Sequence, residues 1–404
     1  MDEQARAIGA RVRYWRERRK LDRRCFADMV GRSTSWLDKI EKGERGLLRL
    51  PMLERVADAL GIDPTVLTDD QAAGRAAACV DSVEVQTLRA ALAHYPCLTS
   101  QVGKPVALAP VARQLTYVTH AWLSSHFTVV ASHLPDLIGE TQILAQTTPA
   151  ADQLAAQRLL VATYRLACSM LLKFGATDIA WLAADRAMHA ASTVDDTLAL
   201  AGATRSVARA MASSGQRADA LAALTGMADR IRTELAGREH ELLSLYGMLL
   251  LAGEITAALH EDHELALGMH HEAEAAADRL SPQHDTYQTI FGPGNVAVHR
   301  VAALVRLHEG RQALQYARTI DPALVAALPP ERKANYLLDL AKAHTHTGQY
   351  QQAVQTLSQA EHVAAQEVHC RPLAHGLLRF LLNNTTGQSG QLVQQIAQRA
   401  GVSA

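Results

Sequence analysis

GRSTSWLDKIEKGER, residues 31–45, opens on a glycine and small hydroxyl residues and closes on a basic run around a second glycine. Gly31 takes left-handed backbone angles cheaply, which suits it to break the chain. Ser33 can then cap the next helix through its hydroxyl. Leu37 and Ile40 face inward at helical spacing, and Gly43 ends the helix. Thr34, Ser35, Asp38 and Lys39 are left facing outward.

The flanking residues supply partners for that helix. Upstream, a helix is predicted from Gln4 to Lys20, with Ile8, Val12 and Trp15 at i, i+4, i+7. A second runs from Arg23 to Val30 with Phe26, Ala27 and Val30 inward. Downstream, Pro51 suits the first turn of a fourth helix, where its missing N–H costs nothing. Leu53, Val56, Ala57 and Leu60 form its stripe, Gly61 stops it, and Asp63-Pro64 opens a fifth short turn. Residues 1–67 therefore read as a compact bundle of four or five helices. The tight second-to-third connection projects the third helix outward.

Charge singles out the same segment. The 404-residue chain has net charge −1, yet residues 1–67 carry net +4 and the remainder net −5. A basic head on a slightly acidic body implies a polyanion partner for the head. Over the whole chain Ala and Leu are abundant, aromatics are 4% and apolar residues 48%, a mix that favours helix and builds real cores. The five cysteines are scattered without a CxxC, which argues against a disulfide framework or a zinc site and fits a reducing compartment. The charged start MDEQARAIGA lacks the apolar core of a signal peptide. No apolar run is read as approaching the length of a membrane span. The expected location is the cytoplasm, in association with the nucleoid.

Leu21-x4-Phe26-Ala27-x3-Gly31-x5-Leu37-x2-Ile40-Glu41-x-Gly43, followed by Leu53, Ala57, Leu60 and Gly61, resembles the XRE (phage-repressor) helix-turn-helix domain over residues 6–67. The resemblance implies a structural pair between Arg16 and Glu41. It implies a phosphate contact for Arg23, where the family usually has glutamine. It places Thr34, Ser35 and Lys39 at base-facing positions, as suits the N-terminal part of a recognition helix entering the major groove. Arg32, Ser33, Lys42 and Arg45 complete the expected DNA-binding set, the last two at backbone height. Two residues depart from the pattern. Lys20 replaces the usual turn glycine, and Arg32 replaces a frequent apolar residue; both add positive charge.

Residues 68–110 read as a linker or connecting helix, with DDQAAGRAAACVDS (69–82) rich in alanine and LTSQVGKPVALAP (98–110) a break. From 111 to 404 the plan repeats: an apolar helix, a small-residue turn, then an amphipathic helix, at roughly 35–45 residues per pair, the solenoid range. The expected pairs include Leu154–Phe174 with Asp178–Ala191, Thr197–Ser214 with Arg217–Ile231, and Glu239–His260 with Glu264–Leu280. After the FGPGN loop come Val296–Glu309 with Gln312–Thr319, then Arg332–Thr347 with Tyr350–Ala365. Leu373–Leu382 and Gln391–Ala400 cap the array. YLLDLAKAHTHTGQYQQAVQTLSQAE (336–361) resembles a tetratricopeptide repeat, with Ala341, Gly348, Tyr350 and Ala353 at its small or aromatic places. The fold class is thus all-α: a helix-turn-helix bundle followed by an α-solenoid of tetratricopeptide-like pairs.

Stacked pairs curve into a superhelix whose concave face is lined by the first helix of each pair. On those helices Asn335, Asp339 and Lys342 share one face at i, i+4, i+7; Asn295 and His299, and Arg205 and Arg209, repeat the i, i+4 spacing. They are the candidate ligand-binding residues. Asparagine, with donors and acceptors, can hydrogen-bond a peptide backbone. His260, His263, His270 and His271 cluster, but His270 and His271 point different ways on a helix, so no metal is assigned. Gly292-Pro293-Gly294 lacks the strand-and-helix frame of a phosphate loop. No catalytic constellation and no cofactor motif appears.

The whole chain is similar to regulators that join an XRE head to tetratricopeptide repeats, peptide-pheromone receptors of quorum sensing among them. The resemblance implies a homodimeric transcription regulator that binds double-stranded operator DNA and senses a signalling peptide or small molecule. The alternative is a DNA-tethered adaptor whose repeats bind a partner protein.

Overall fold

A computed structural model describes residues 3–47, 50–95, 106–280 and 289–403, the side chains at 75, 78 and 236–241 excepted. Among the described residues all regular structure is helical. The chain divides into two compact units, Met1–Glu84 and Val85–Ala404. Residues 98–105 of the expected break lie outside the described residues.

The first unit contains α1 (Glu3–Arg18), α2 (Arg23–Val30), α3 (Thr34–Glu41), α4 (Leu50–Leu60) and the short α5 (Thr65–Thr68) and α6 (Asp70–Ala78). The apolar stripes read from the sequence converge in one core. Ile8, Val12 and Trp15 of α1 meet Phe26, Ala27 and Val30 of α2, Leu37 and Ile40 of α3, and the α4 stripe. Each fully buried large side chain in such a core contributes about 1.5–3 kcal/mol. Asp22 caps α2 by accepting from the Cys25 N–H, and Gly31 ends it in the left-handed region at φ 70°. The Ser33 hydroxyl caps α3 by accepting from the Trp36 N–H. α1 stops at Arg18, two residues short of the expected Lys20, because Lys20 itself takes a left-handed conformation at φ 55°.

Residues 68–84 belong to this unit. Arg18 donates to both carboxylate oxygens of Glu84, at 2.8 and 3.0 Å, and to the Ala77 carbonyl at 2.8 Å. Arg19 bonds Asp81 at 2.5 Å. α7 (Ser82–Ala93) crosses the division between the units.

The second unit is an α-solenoid. α8 (Leu108–Leu123) pairs with α9 (Phe127–Thr147), and α10 (Gln153–Lys173) with α11 (Thr177–Ser192). α12 (Thr197–Ser213) packs on α13 (Arg217–Leu259), and α13 on α14 (His263–Asp278). α15 (Pro293–Arg306) pairs with α16 (Gly310–Ala317), after which α17 (Pro322–Ala327) leads to α18 (Pro330–His346) and α19 (Tyr350–Val363). α20 (Ala365–His369), α21 (Pro372–Asn384) and α22 (Gly387–Ala400) close the chain. α18 and α19 are the unit that resembles a tetratricopeptide repeat, and Gly348 turns between them at φ 75°.

α13 corrects one expectation. Two helices were expected, Arg217–Ile231 and Glu239–His260, but the helical run is unbroken over 43 residues. It is nonetheless bent back. Arg232 Nε donates to the Tyr246 hydroxyl at 3.2 Å, whereas a straight helix would separate those residues by about 21 Å. Leu221 likewise shares a core cluster with Ala257, Ala258 and Ala266. The two arms therefore behave as two solenoid helices joined through a helical bend, without the small-residue turn that separates other pairs. The same helix corrects the reading of apolar runs. Leu242–Leu259 has the length and mean hydropathy, 1.7, of a membrane span, and 83% of it is buried inside the unit. Its apolarity is that of a core helix packed on every side.

The two ends of the solenoid meet. Lys173 at the end of α10 bonds Glu331 of α18 at 2.6 Å and Glu367 of α20 at 2.5 Å. The Gln366 side chain accepts from the N–H groups that open α9, at 2.7 Å from Phe127 and 3.3 Å from Thr128. The Ser125 hydroxyl adds a bond to Glu367 at 3.2 Å. These contacts join early helices to late ones and enclose the face between them.

Candidate nucleic-acid interface and ligand cavity

α3 is held from beneath and open above. Leu37 and Ile40 are fully buried, while Ser33, Thr34, Ser35 and Lys39 are exposed. Arg32, Lys42 and Arg45 are exposed on either side. Trp36 is half-buried against the core, with the Arg32 guanidinium 5.9 Å from its ring. Arg16 and Glu41 form the ion pair that the resemblance implies. Arg23, at the start of α2, lies 3.4 Å from both Asp38 and Glu41, so its guanidinium is turned toward α3. The exposed set combines short hydroxyls, which reach base edges, with cations, which neutralise phosphates.

In the second unit a cavity of about 810 Å³ is lined by α8, α10, α12, the last arm of α13, α15 and α18, the first helices of successive pairs. Five of the seven sequence candidates line it: Arg205, Arg209, His299, Asn335 and Asp339. Asn295 and Lys342 do not. Asn295 is buried with its amide 3.6 Å from the Met248 sulfur. Lys342 is half-buried, and burial followed by nearby Arg306 holds its ammonium below the ordinary lysine range.

The sequence reading missed most of the cavity's charge. Arg165 and Lys173 come from α10, Arg306 from α15, Arg332 from α18, and Arg371 from the segment before α21. A signal for one of them existed. Arg165 and Ser169 precede Arg205 and Arg209 by 40 residues, one repeat, and Arg209 donates to the Ser169 hydroxyl at 2.9 Å. Arg165 lies across Gly202, where an added methyl would come within 2.8 Å of the guanidinium.

The carboxylates near this cavity are already engaged. Glu331 bonds Lys173 and Arg332. Burial opposes ionisation of Glu331, yet Arg332, Lys173 and Arg371 together hold it well below the usual carboxylate range. Glu367 takes Lys173 and Arg371, the latter at 2.7 Å, and Arg371 also donates to Asn335 at 2.5 Å. Asp339 lies 3.5 Å from Arg306. Arg205 has no such partner: among the described residues its solvent-shielded Nε makes no hydrogen bond. Burial first, then Arg209, Arg332 and Arg165, push its pKa well below the ordinary arginine value.

His299 is pushed down to about 3 by burial and then by Arg332, with Arg205 and Arg306 adding to the effect. It is therefore a neutral ring whose Nδ1–H donates to the Asn295 carbonyl at 2.8 Å. The nearby Cys168 thiol is pushed up to about 11 by burial and stays protonated, which suits packing and not nucleophilic chemistry. Among the described residues no group of three or more His, Cys, Asp or Glu is placed to hold a metal ion.

Residues 7–69 match the family described as helix-turn-helix domain. The chain thus carries an XRE-type helix-turn-helix DNA-binding domain at its N-terminus. No curated protein matches the chain. The apo form of the competence regulator ComR from Streptococcus vestibularis aligns over 95% of this chain and 100% of that chain, at 12% identity and a TM-score of 0.31. A likeness that slight bears on neither fold nor function.

Proposed function

We propose that this protein is a transcription regulator that binds operator DNA as a homodimer through α3, and that a ligand in the cavity of its helical-repeat unit alters that binding. The observation that carries the reading is the pairing of an outward-facing α3 with a partly open, cation-lined cavity on the same chain. Thr34, Ser35 and Lys39 are the base-facing residues in this reading. Arg32, Lys42 and Arg45 contact phosphates, and Ser33 serves as cap and backbone contact. Arg23 becomes a phosphate contact by leaving Asp38.

Two copies would meet half-sites about 34 Å apart. A ligand changes occupancy only if it binds one conformation of the repeat unit better than another. The contacts of Lys173 with Glu331 and Glu367 support a compact ligand rather than an extended one, since they close the face that an adaptor would offer to a protein partner.

The test is footprinting of purified protein on genomic fragments, comparing wild type with the triple substitution Thr34→Ala, Ser35→Ala, Lys39→Ala. The variant is expected to lose protected sites while keeping its helical content. Unchanged footprints would sink the α3 assignment. Footprints that never change across effector conditions would sink the sensing half.

A further inference from the structure

The cavity holds more positive charge than its own side chains neutralise. Lys173, Arg332 and Arg371 each have a carboxylate partner in Glu331 or Glu367, and Arg371 also reaches Asn335, although the Nε atoms of Arg332 and Arg371 make no hydrogen bond among the described residues. That engagement leaves Arg205 and Arg209 without a carboxylate: Arg209 donates to the Ser169 hydroxyl, and the Arg205 Nε has no partner among the described residues. Two arginines one helical turn apart repel each other. Shielding these side chains among like charges is costly, because a shielded charge loses hydration, and the Arg205 Nε gains no hydrogen bond in return. Natural folds keep such groups where an incoming acceptor satisfies them. The lining also holds apolar side chains, Leu115 and Trp122 from α8 and Met248, Leu251 and Ile255 from α13. The volume, about 810 Å³, falls in the range of small-molecule sites.

We propose that the cavity binds a small organic oxyanion, a molecule with phosphate or carboxylate groups on a partly apolar body, anchored by Arg205 and Arg209. This deepens the ligand-sensing reading above and rests on it for its biological meaning, though not for its chemistry. The guanidinium fork matches phosphate and carboxylate oxygens in pairs, a geometry that an ammonium lacks. The neutral His299 and Asn335, both on the lining, add uncharged polar contacts that orient the ligand. Leu115, Trp122, Met248 and Ile255 on the lining take its apolar part.

The experiment uses full-length protein with pyrophosphate and citrate as probes, against sodium chloride at matched ionic strength. Thermal unfolding and calorimetry are read for wild type, Arg205→Gln, Arg209→Gln and the exposed control Arg311→Gln. Pyrophosphate or citrate is expected to raise the melting temperature saturably. Arg205→Gln and Arg209→Gln should each weaken that binding by about tenfold or more, the loss of one charge-assisted contact. Without anion, Arg205→Gln should melt at or above the wild-type temperature, because it removes a repelled charge. A structural arginine would give the opposite. Preference between the two probes tells a phosphate head from a carboxylate head. The proposal is overturned if neither probe stabilises beyond chloride, or if stabilisation survives both substitutions. Operator binding is read in parallel. Anion binding that leaves it unchanged upholds the site and sinks the sensing reading. An operator response to an uncharged effector, without anion binding, does the reverse.

Discussion

Arg16 on α1 donates from Nε to one carboxylate oxygen of Glu41 at 2.6 Å and from Nη2 to the other at 3.1 Å, with the two side chains 7% and 3% exposed. The same guanidinium reaches the Leu21 carbonyl at 3.0 Å. The pair therefore ties the end of α3 to α1 and to the turn before α2. The hydrogen bond to Glu41 raises the pKa of Arg16 and so favours its charged guanidinium. Glu41→Ala is expected to destabilise the first unit by about 3–5 kcal/mol, because it strands a buried cation. Replacing both residues, Arg16→Met with Glu41→Leu, should recover most of that loss. Hydrogen exchange across residues 3–47 of the full chain measures both. Equal protection in Glu41→Ala and wild type would show that the pair contributes nothing.

Thr34→Ala and Lys42→Ala separate reading from holding. Thr34 sits at the exposed start of α3, and Lys42 just past its end. Thr34→Ala should reduce discrimination between operator and mutated operator by about 1–3 kcal/mol. Lys42→Ala should weaken all DNA sequences alike and lower the salt-dependence slope by about 1. Titrations at several salt concentrations, on operator and on scrambled DNA, give both numbers. The same pattern for both variants would erase the distinction.

Gly9 is the position where the first unit depends on a missing side chain. A methyl added there would be driven into the Ile40 carbonyl oxygen, at the crossing of α1 over α3. Gly9→Ala would ordinarily favour a helix by about 1 kcal/mol. Here it should instead destabilise by several kcal/mol and reduce operator binding through displacement of α3. A thermal melt no lower than wild type would mean that the crossing relaxes freely.

Lys20 shows the reverse case. Its φ of 55° places an L-residue in the left-handed region, which costs about 1 kcal/mol or more for a residue with a Cβ. Lys20→Gly should stabilise the first unit by about that amount while removing one positive charge. Denaturant titration reads the stability, and DNA titration reads whether the charge mattered. Loss of stability on substitution would show that the lysine's own contacts outweigh its strain.

What the sequence disclosed follows from how far each interaction reaches. Stripes such as Ile8, Val12 and Trp15 are local, and periodicity exposes them directly. The α18–α19 turn is equally local, marked by Gly348. Arg205 and Arg209 were visible at i, i+4, and a 40-residue offset leads back to Arg165 and Ser169. The closing contacts were not visible, since Lys173 meets Glu331 and Glu367 across 158 and 194 residues. Nor was the burial of Asn295, which shares its spacing with residues that do line the cavity. The bend in α13 escaped notice for another reason: helical hydrogen bonding continues through it.

Glu254, in the last arm of α13, gives the pH prediction. It is fully buried, and both of its carboxylate oxygens lack a hydrogen bond among the described residues. His270 of α14 lies 3.5 Å away and Arg300 of α15 3.9 Å away, with Arg306 and Tyr316 more distant charged or titratable neighbours. Burial outweighs the opposing pull of His270 and Arg300, so the carboxyl is raised above its ordinary value. The protonated form is the one that the fold prefers. Its contribution to stability is complete below the unfolded pKa, about 4.3, and is lost as pH rises through the higher folded value. Glu254→Gln, a neutral isostere, should therefore match wild type in acid and exceed it at neutral pH. Melting temperatures of the two proteins across pH 4–8 test this. A glutamine variant that is less stable at neutral pH would mean that Glu254 is ionised and held by Arg300 and His270, reversing the sign.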